Sequence, residues 1–201
     1  MTAEPVVGPR SGPSGTSSTA RSCTAATPQL SPEEYKAVFR GHPAGVVVVA
    51  LRDVDDRPVG FTATSVISVS AQPPLLAFSL ASSSSSWPAV ERATTLTLSF
   101  LADHQDDVSA RFATSGIDRF AAGGWSALET GEPVIDGALA WVRGRVVQRT
   151  AVGSSHLVSV EAIASSVRLT QESAHRTGLE APSPLVYHDR TYHRIGEHSA
   201  I

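Results

Sequence analysis

The chain has a single cysteine, Cys23, so no intrachain disulfide can form. A lone thiol fits a reducing compartment. No apolar run reaches the roughly 18 residues of a membrane span. The N-terminus also lacks a basic region followed by an apolar one, so no secretory leader is expected and the expected location is the cytoplasm. A net charge of −3 and the absence of a basic stripe argue against nucleic-acid binding. The histidines at 42, 104, 175, 188, 193 and 198 show no zinc-ligand spacing, and no metal site is expected. No dinucleotide fingerprint and no nucleophilic triad stand in the sequence.

What remains is enough for one ordered domain. The chain has 201 residues with 41% apolar content, sufficient to bury a core. Residues 1–30 are rich in Ser, Thr, Ala, Pro and Gly without a periodic apolar face, and are expected to be a disordered tail. The domain is expected over 31–196, with a flexible end at 197–201. Ser31, Pro32 and Glu34 form a capping-box signature for a helix whose Tyr35, Val38 and Phe39 share one face. Val46 to Leu51 is a continuous apolar run, the mark of a strand covered on both sides. Val59 to Leu80 reads as strand, polar turn, strand and a further buried strand after Pro73-Pro74.

The middle of that stretch is a run of hydroxyls: Thr62, Thr64, Ser65, Ser68 and Ser70. Such a run either bonds within itself and to water, or presents hydroxyls and backbone N–H groups to an anion. Ser82 to Ser86 reads as a loop, either a flexible linker or a set of donors over a ligand, with Ser86 capping a short helix. Thr95 to Leu101 is a strand. A helix follows, with Asp103 as its cap and Val108 and Phe112 on one face. Ala138 to Gln148 and His156 to Leu169 are long strands, the first able to bend at Gly144. Residues 171–182 form a polar loop, and a hairpin with its turn at His188 to Thr191 closes the chain. Many strands with few short helices point to an antiparallel barrel.

These pieces, in this order, resemble the short-chain flavin reductases that serve two-component flavin-dependent monooxygenases. The resemblance covers about Glu34 to Ile195. It rests on H-P-A-G-V-V-V-V, G-F-T-A-T-S-V-I-S-V-S-A-Q-P-P-L-L-A-F, S-S-S-S-W-P-A-V, F-L-A-D-H-Q-D-D-V-S-A-R-F-A, D-R-F, G-E-P-V-I-D-G-A-L-A-W, G-S-S-H and P-L-V-Y-H-D-R-T-Y. It implies a mainly β FMN-binding split barrel with short helices. It also implies a homodimer with flavin in a groove at its interface, and hydride transfer from NADH or NADPH to FMN or FAD. The reduced flavin would pass to a separate monooxygenase.

By the same resemblance, Gly45, Val46, Thr62, Ala63, Thr64 and Ser65 would line the flavin, with Ser68, Val69 and Ser70 supporting them. Ser82, Ser83, Ser86 and Trp87 would meet the ribityl phosphate or the ring. Ser99, Arg111, Phe112, Arg119 and Tyr187 would complete the groove, and His156 would sit by the nicotinamide as the catalytic candidate. Ser99 and Ser155 replace the asparagine and aspartate usual in the family. Glu161 replaces a small glycine, and the serine loop lacks its basic residue. Arg143 and Arg145 share a strand face and either pair with acids across a dimer interface, the expected reading, or hold a phosphate. From the residues alone, the tryptophans at 87, 125 and 141 either stack on flavin or pack in the core or at an interface, and packing is the expectation for each. Two other readings stand beside this one. One is a non-catalytic flavin-binding protein. The other is a pyridoxamine-phosphate-oxidase-like enzyme, which the shortage of Lys and Arg in the hydroxyl segment disfavours.

Overall fold

The computed structural model describes residues 29–166, 183–196 and 199. Most of the expected N-terminal tail, Cys23, the 171–182 loop and most of 197–201 lie outside them. Helix α1 (Pro32–Arg40) begins as its sequence signals require. Ser31 Oγ accepts from the Glu34 amide at 3.2 Å, and Glu34 accepts from the Ser31 amide at 2.9 Å. Its apolar face, however, is largely exposed among the described residues. Tyr35, Val38 and Phe39 are 55%, 67% and 55% exposed.

The strands follow: β1 (Ala44–Gly45), β2 (Val47–Arg52), β3 (Pro58–Ala63), β4 (Ile67–Ala71) and β5 (Pro74–Ala81). Helix α2 (Trp87–Arg92), β6 (Thr95–Phe100) and α3 (Asp106–Ala113) come next. Then come β7 (Trp125–Ala127), β8 (Pro133–Ile135), β9 (Ala140–Val152) and β10 (Ser155–Ser165), with the hairpin β11 (Leu185–His188) and β12 (Thr191–Arg194) closing the chain. Seven strands form one antiparallel sheet in the order β3-β2-β6-β9-β10-β5-β4. β3 also contacts β5, so the sheet curls on itself. This is the mainly β barrel with short helices that the sequence led us to expect.

The continuous apolar run has a direct cause. Val47, Val49 and Leu51 of β2 face the barrel core with Phe61, Phe78, Leu98 and Val158. Val46, Val48 and Ala50 face a second core made with Leu101, Phe112, Phe120 and Leu185. Both faces of this strand are dry, so no polar alternation is possible. Gly144 has an equally direct cause. A Cβ there would lie 2.2 Å from Val160 Cγ1, so only glycine lets β9 cross β10 this closely. The two strands shift register nearby, between Ala162 and Ala164.

Two expected helix caps are not used. Gln105, not Asp103, precedes α3, and neither side chain caps it. Gln105 is occupied elsewhere: it accepts from the Ala102 amide and donates to the Asp136 carbonyl. Ser86 precedes α2 in a helical conformation without a capping bond. Its buried hydroxyl accepts from Arg119 instead. The strand expected from His156 ends at Ser165, and the one expected from Ala138 to Gln148 runs on to Val152. The hairpin turn is as expected, with Asp189 and Arg190 both at positive φ (44° and 64°), the conformation of a tight two-residue turn.

Candidate active site

A cleft of about 770 Å³ opens between the end of α1, the His42–Gly45 segment, the β3–β4 connection and the β11–β12 turn. The capped helix, β1 pairing with β11, and a bond from the Asp189 amide to the Arg40 carbonyl (3.0 Å) hold these walls together. The cleft gathers Gly45, Thr64, Ser65 and Tyr187 from the residues singled out in the sequence. Phe39, Val66 and Ile67 give it an apolar side. Its size falls within the usual range for small-molecule sites.

Lys36, Arg40 and Arg190 also line this cleft, and sequence reasoning did not anticipate them. They come from two distant segments and carry no local motif. None of the three is in an ion pair among the described residues. An apolar wall beside hydroxyls and free cations fits a flat ring bearing a phosphate. No residue of the serine loop, Ser82 to Ser86, lines this cleft.

The hydroxyls are more committed than their spacing implies. Thr62 Oγ1 donates to the Ser109 carbonyl at 2.7 Å. Ser65 Oγ accepts from the Ser79 amide and donates to the Ser79 carbonyl, at 3.0 and 3.2 Å. Ser70 Oγ accepts from the Gln72 amide. Ser68 and Val69 are exposed on β4, an edge strand. Ser109 and Tyr192 join this network, since the Tyr192 hydroxyl donates to Ser109 Oγ at 2.9 Å.

His156 opens β10 at the barrel rim. Its strand pairs with β5, with His156 opposite Leu80 and Leu157 opposite Ser79, and Ser65 bonds to Ser79 on the other side. Two strand spacings, about 10 Å, therefore separate His156 from the cleft wall. Ser82 Oγ lies 3.2 Å from His156 Nδ1, and the Trp87 indole stacks on the imidazole. Ser83 is exposed on the same loop.

Arg119 ties three segments together. It donates to the carbonyls of Thr114 (2.8 Å) and Gly60 (2.7 Å) and to Ser86 Oγ (3.0 Å). Burial pushes its pKa below the ordinary guanidinium value. Arg111 donates to the Gly123 carbonyl at 3.2 Å and holds the same long loop. Val46, Ala63, Ser99 and Phe112 are buried. Ser99 Oγ accepts from the Ile135 amide, joining β6 to β8 inside the fold. None of these four lines the cleft. Arg143 and Arg145 form their ion pairs within the chain, with Glu132 and Glu161, so neither awaits an acid from a second copy.

A flavin reductase like domain family matches residues 39–196. The chain belongs to this family. It is 43% identical over 175 residues to an NADH:FMN oxidoreductase of Rhodococcus erythropolis, covering 85% of this chain and 87% of that protein. It is 32% identical over 164 residues to the reductase subunit HsaB of a flavin-dependent monooxygenase from Mycobacterium tuberculosis, covering 82% of each. Among solved structures, a flavin reductase domain protein from Arthrobacter sp. FB24 superposes with a TM-score of 0.71 at 32% identity, covering 82% of this chain and 95% of that one. This flavin reductase-like chain therefore carries its family's fold around a cleft built from its own hydroxyls, cations and aromatic rings.

Proposed function

We infer that this protein is an NAD(P)H-dependent flavin reductase that supplies reduced flavin to a separate monooxygenase. The observation carrying the reading is the cleft itself, apolar on one side with Thr64, Ser65 and three cations on the other that are in no ion pair among the described residues, in a chain of this family. When bound, flavin supplies the hydride chemistry. The protein's part is to hold and orient the reactants. Phe39, Ile67 and Tyr187 wall the ring, and Lys36, Arg40 and Arg190 receive the phosphate. His156 contacts the nicotinamide. FMN is the preferred flavin, since the related oxidoreductase from Rhodococcus erythropolis is named for it. NADH is favoured on the same ground.

The working unit is a homodimer in the cytoplasm. The exposed apolar face of α1 lies beside the cleft, and Ile67 and Val69 are exposed on the neighbouring edge strand. A second copy covering this face would bury it and close the groove. Among the described residues, no helix is long and apolar enough to cross a membrane.

The test is NADH and NADPH oxidation by the purified protein with FMN, FAD or no flavin added. Turnover that depends on added flavin is expected, with His156→Ala lowering turnover or raising the nicotinamide KM while leaving flavin binding intact. Flavin binding without oxidation of either nucleotide would favour the non-catalytic reading. Unchanged kinetics in His156→Ala would remove that residue's role.

A further inference from the structure

His156 is held on two sides by groups from two other elements. The Trp87 indole lies parallel to the imidazole, with ring centroids 3.6 Å apart and an interplanar angle of 11°. Ser82 Oγ is 3.2 Å from Nδ1. Ser82 follows β5, Trp87 opens α2 and His156 opens β10, so the cluster exists only in the folded chain.

Each holder is itself anchored. The Ser82 amide donates to the Ser154 carbonyl at 2.9 Å, which ties the serine loop to the turn before His156. Trp87 packs against the barrel core. At the other end of α2, Arg149 donates to the carbonyls of Val90 and Ala93. Ser86, next to Trp87, is held by Arg119. The indole is thus a fixed plate. An imidazole pressed on it, with a hydroxyl at one nitrogen, loses its freedom to rotate or flip. Among the described residues, Nε2 is the ring nitrogen without a hydrogen-bond partner.

We propose that Trp87 and Ser82 are positioning residues that fix the ring plane and tautomer of His156. The Ser82 hydroxyl can donate to Nδ1 or accept from it, and in the proposed arrangement it donates. The imidazole proton then sits on Nε2, because the hydrogen bond at one ring nitrogen sets the state of the other. Nε2–H becomes an available donor, suited to the carbonyl oxygen of a nicotinamide carboxamide. Trp87 sets where that donor points. The proposal builds on His156 as the nicotinamide contact, and it reassigns Trp87 and Ser82 from holding flavin to holding His156.

The test reads the imidazole directly, by long-range proton–nitrogen NMR of the full chain without ligands, alongside steady-state kinetics. The wild type is expected to show His156 as the Nε2–H tautomer, and Ser82→Ala a mixture of the two. Trp87→Ala is expected to lower kcat/KM for NADH by about tenfold to a hundredfold, the scale of a misplaced contact. Flavin affinity should be unchanged in that variant, and Trp87→Phe, which keeps a stacking ring, should recover most of the loss. A wild-type Nδ1–H tautomer would overturn the proposal. So would Trp87→Ala with wild-type NADH kinetics, or Trp87→Phe as impaired as Trp87→Ala. Should Trp87→Ala not fold, Ser82→Ala at its exposed position and Trp87→Phe decide the matter by the tautomer signal. The NMR arm is independent of turnover, so a held ring in a protein whose kinetics ignore His156→Ala would count against the nicotinamide contact and not against the hold.

Discussion

The carboxylate of Glu132 and the guanidinium of Arg143 meet at 2.7 Å inside the fold, with Glu132 only 5% exposed. The pair locks the β7–β8 connection onto β9. Burial alone would raise the Glu132 pKa, but hydrogen bonds from Arg143, Thr130 and Thr95 outweigh it and lower the pKa from 4.5 to about 2. A depressed carboxylate pKa stabilises the fold above the unfolded value and loses that contribution as pH falls through the folded one.

Stability should therefore drop between about pH 4.5 and pH 2, by at most about 3 kcal/mol from this group. Glu132→Gln leaves Arg143 without its counter-charge and should cost about 3–5 kcal/mol at neutral pH. It should also flatten the acid limb of a denaturation curve measured across pH. An acid limb as steep as that of the wild type would show that other carboxylates govern it.

Gly144→Ala should destabilise by about 1–3 kcal/mol, because its Cβ would meet the buried Val160 side chain and the Glu161 carbonyl. Gly41→Ala is the control, since its Cβ meets only ordinary contact at 3.6 Å. Thermal melting of both variants checks this, and equal melting temperatures would contradict it.

Arg119→Lys should not rescue Arg119→Ala. Three acceptors on separate segments need the planar fork of a guanidinium, and one ammonium cannot serve all three. Both variants should loosen the loop that carries Ser86, seen as faster amide exchange around residues 84–88.

Phe39→Glu should shift the protein toward monomer in light-scattering chromatography while leaving its circular dichroism unchanged. Phe39 is 55% exposed, and among the described residues its ring contacts are with Tyr35 and His42 of its own segment, so a charge there costs the monomer little. A wild-type mass would place the partner face elsewhere.

Local chemistry wrote much of this fold into the chain. The capping box at Ser31 and Glu34 and the tight hairpin turn follow from rules that act within a few residues. So does the presence of hydroxyls and a strand-opening histidine. What those side chains do was settled by long-range packing. Ser99 is placed by resemblance in the flavin groove, yet lies buried because β6 runs through the middle of the sheet. Asp103 and Ser86 have good capping chemistry but cap nothing, because tertiary partners fix the chain before each helix otherwise. Lys36, Arg40 and Arg190 share a cleft only because β1 pairs with β11 and brings α1 to the hairpin. Trp87 reaches His156, 69 positions away, only because β5 pairs with β10. Sequence determines which groups are available within a turn or a strand. The free energy of burying both sheet faces determines which of them meet.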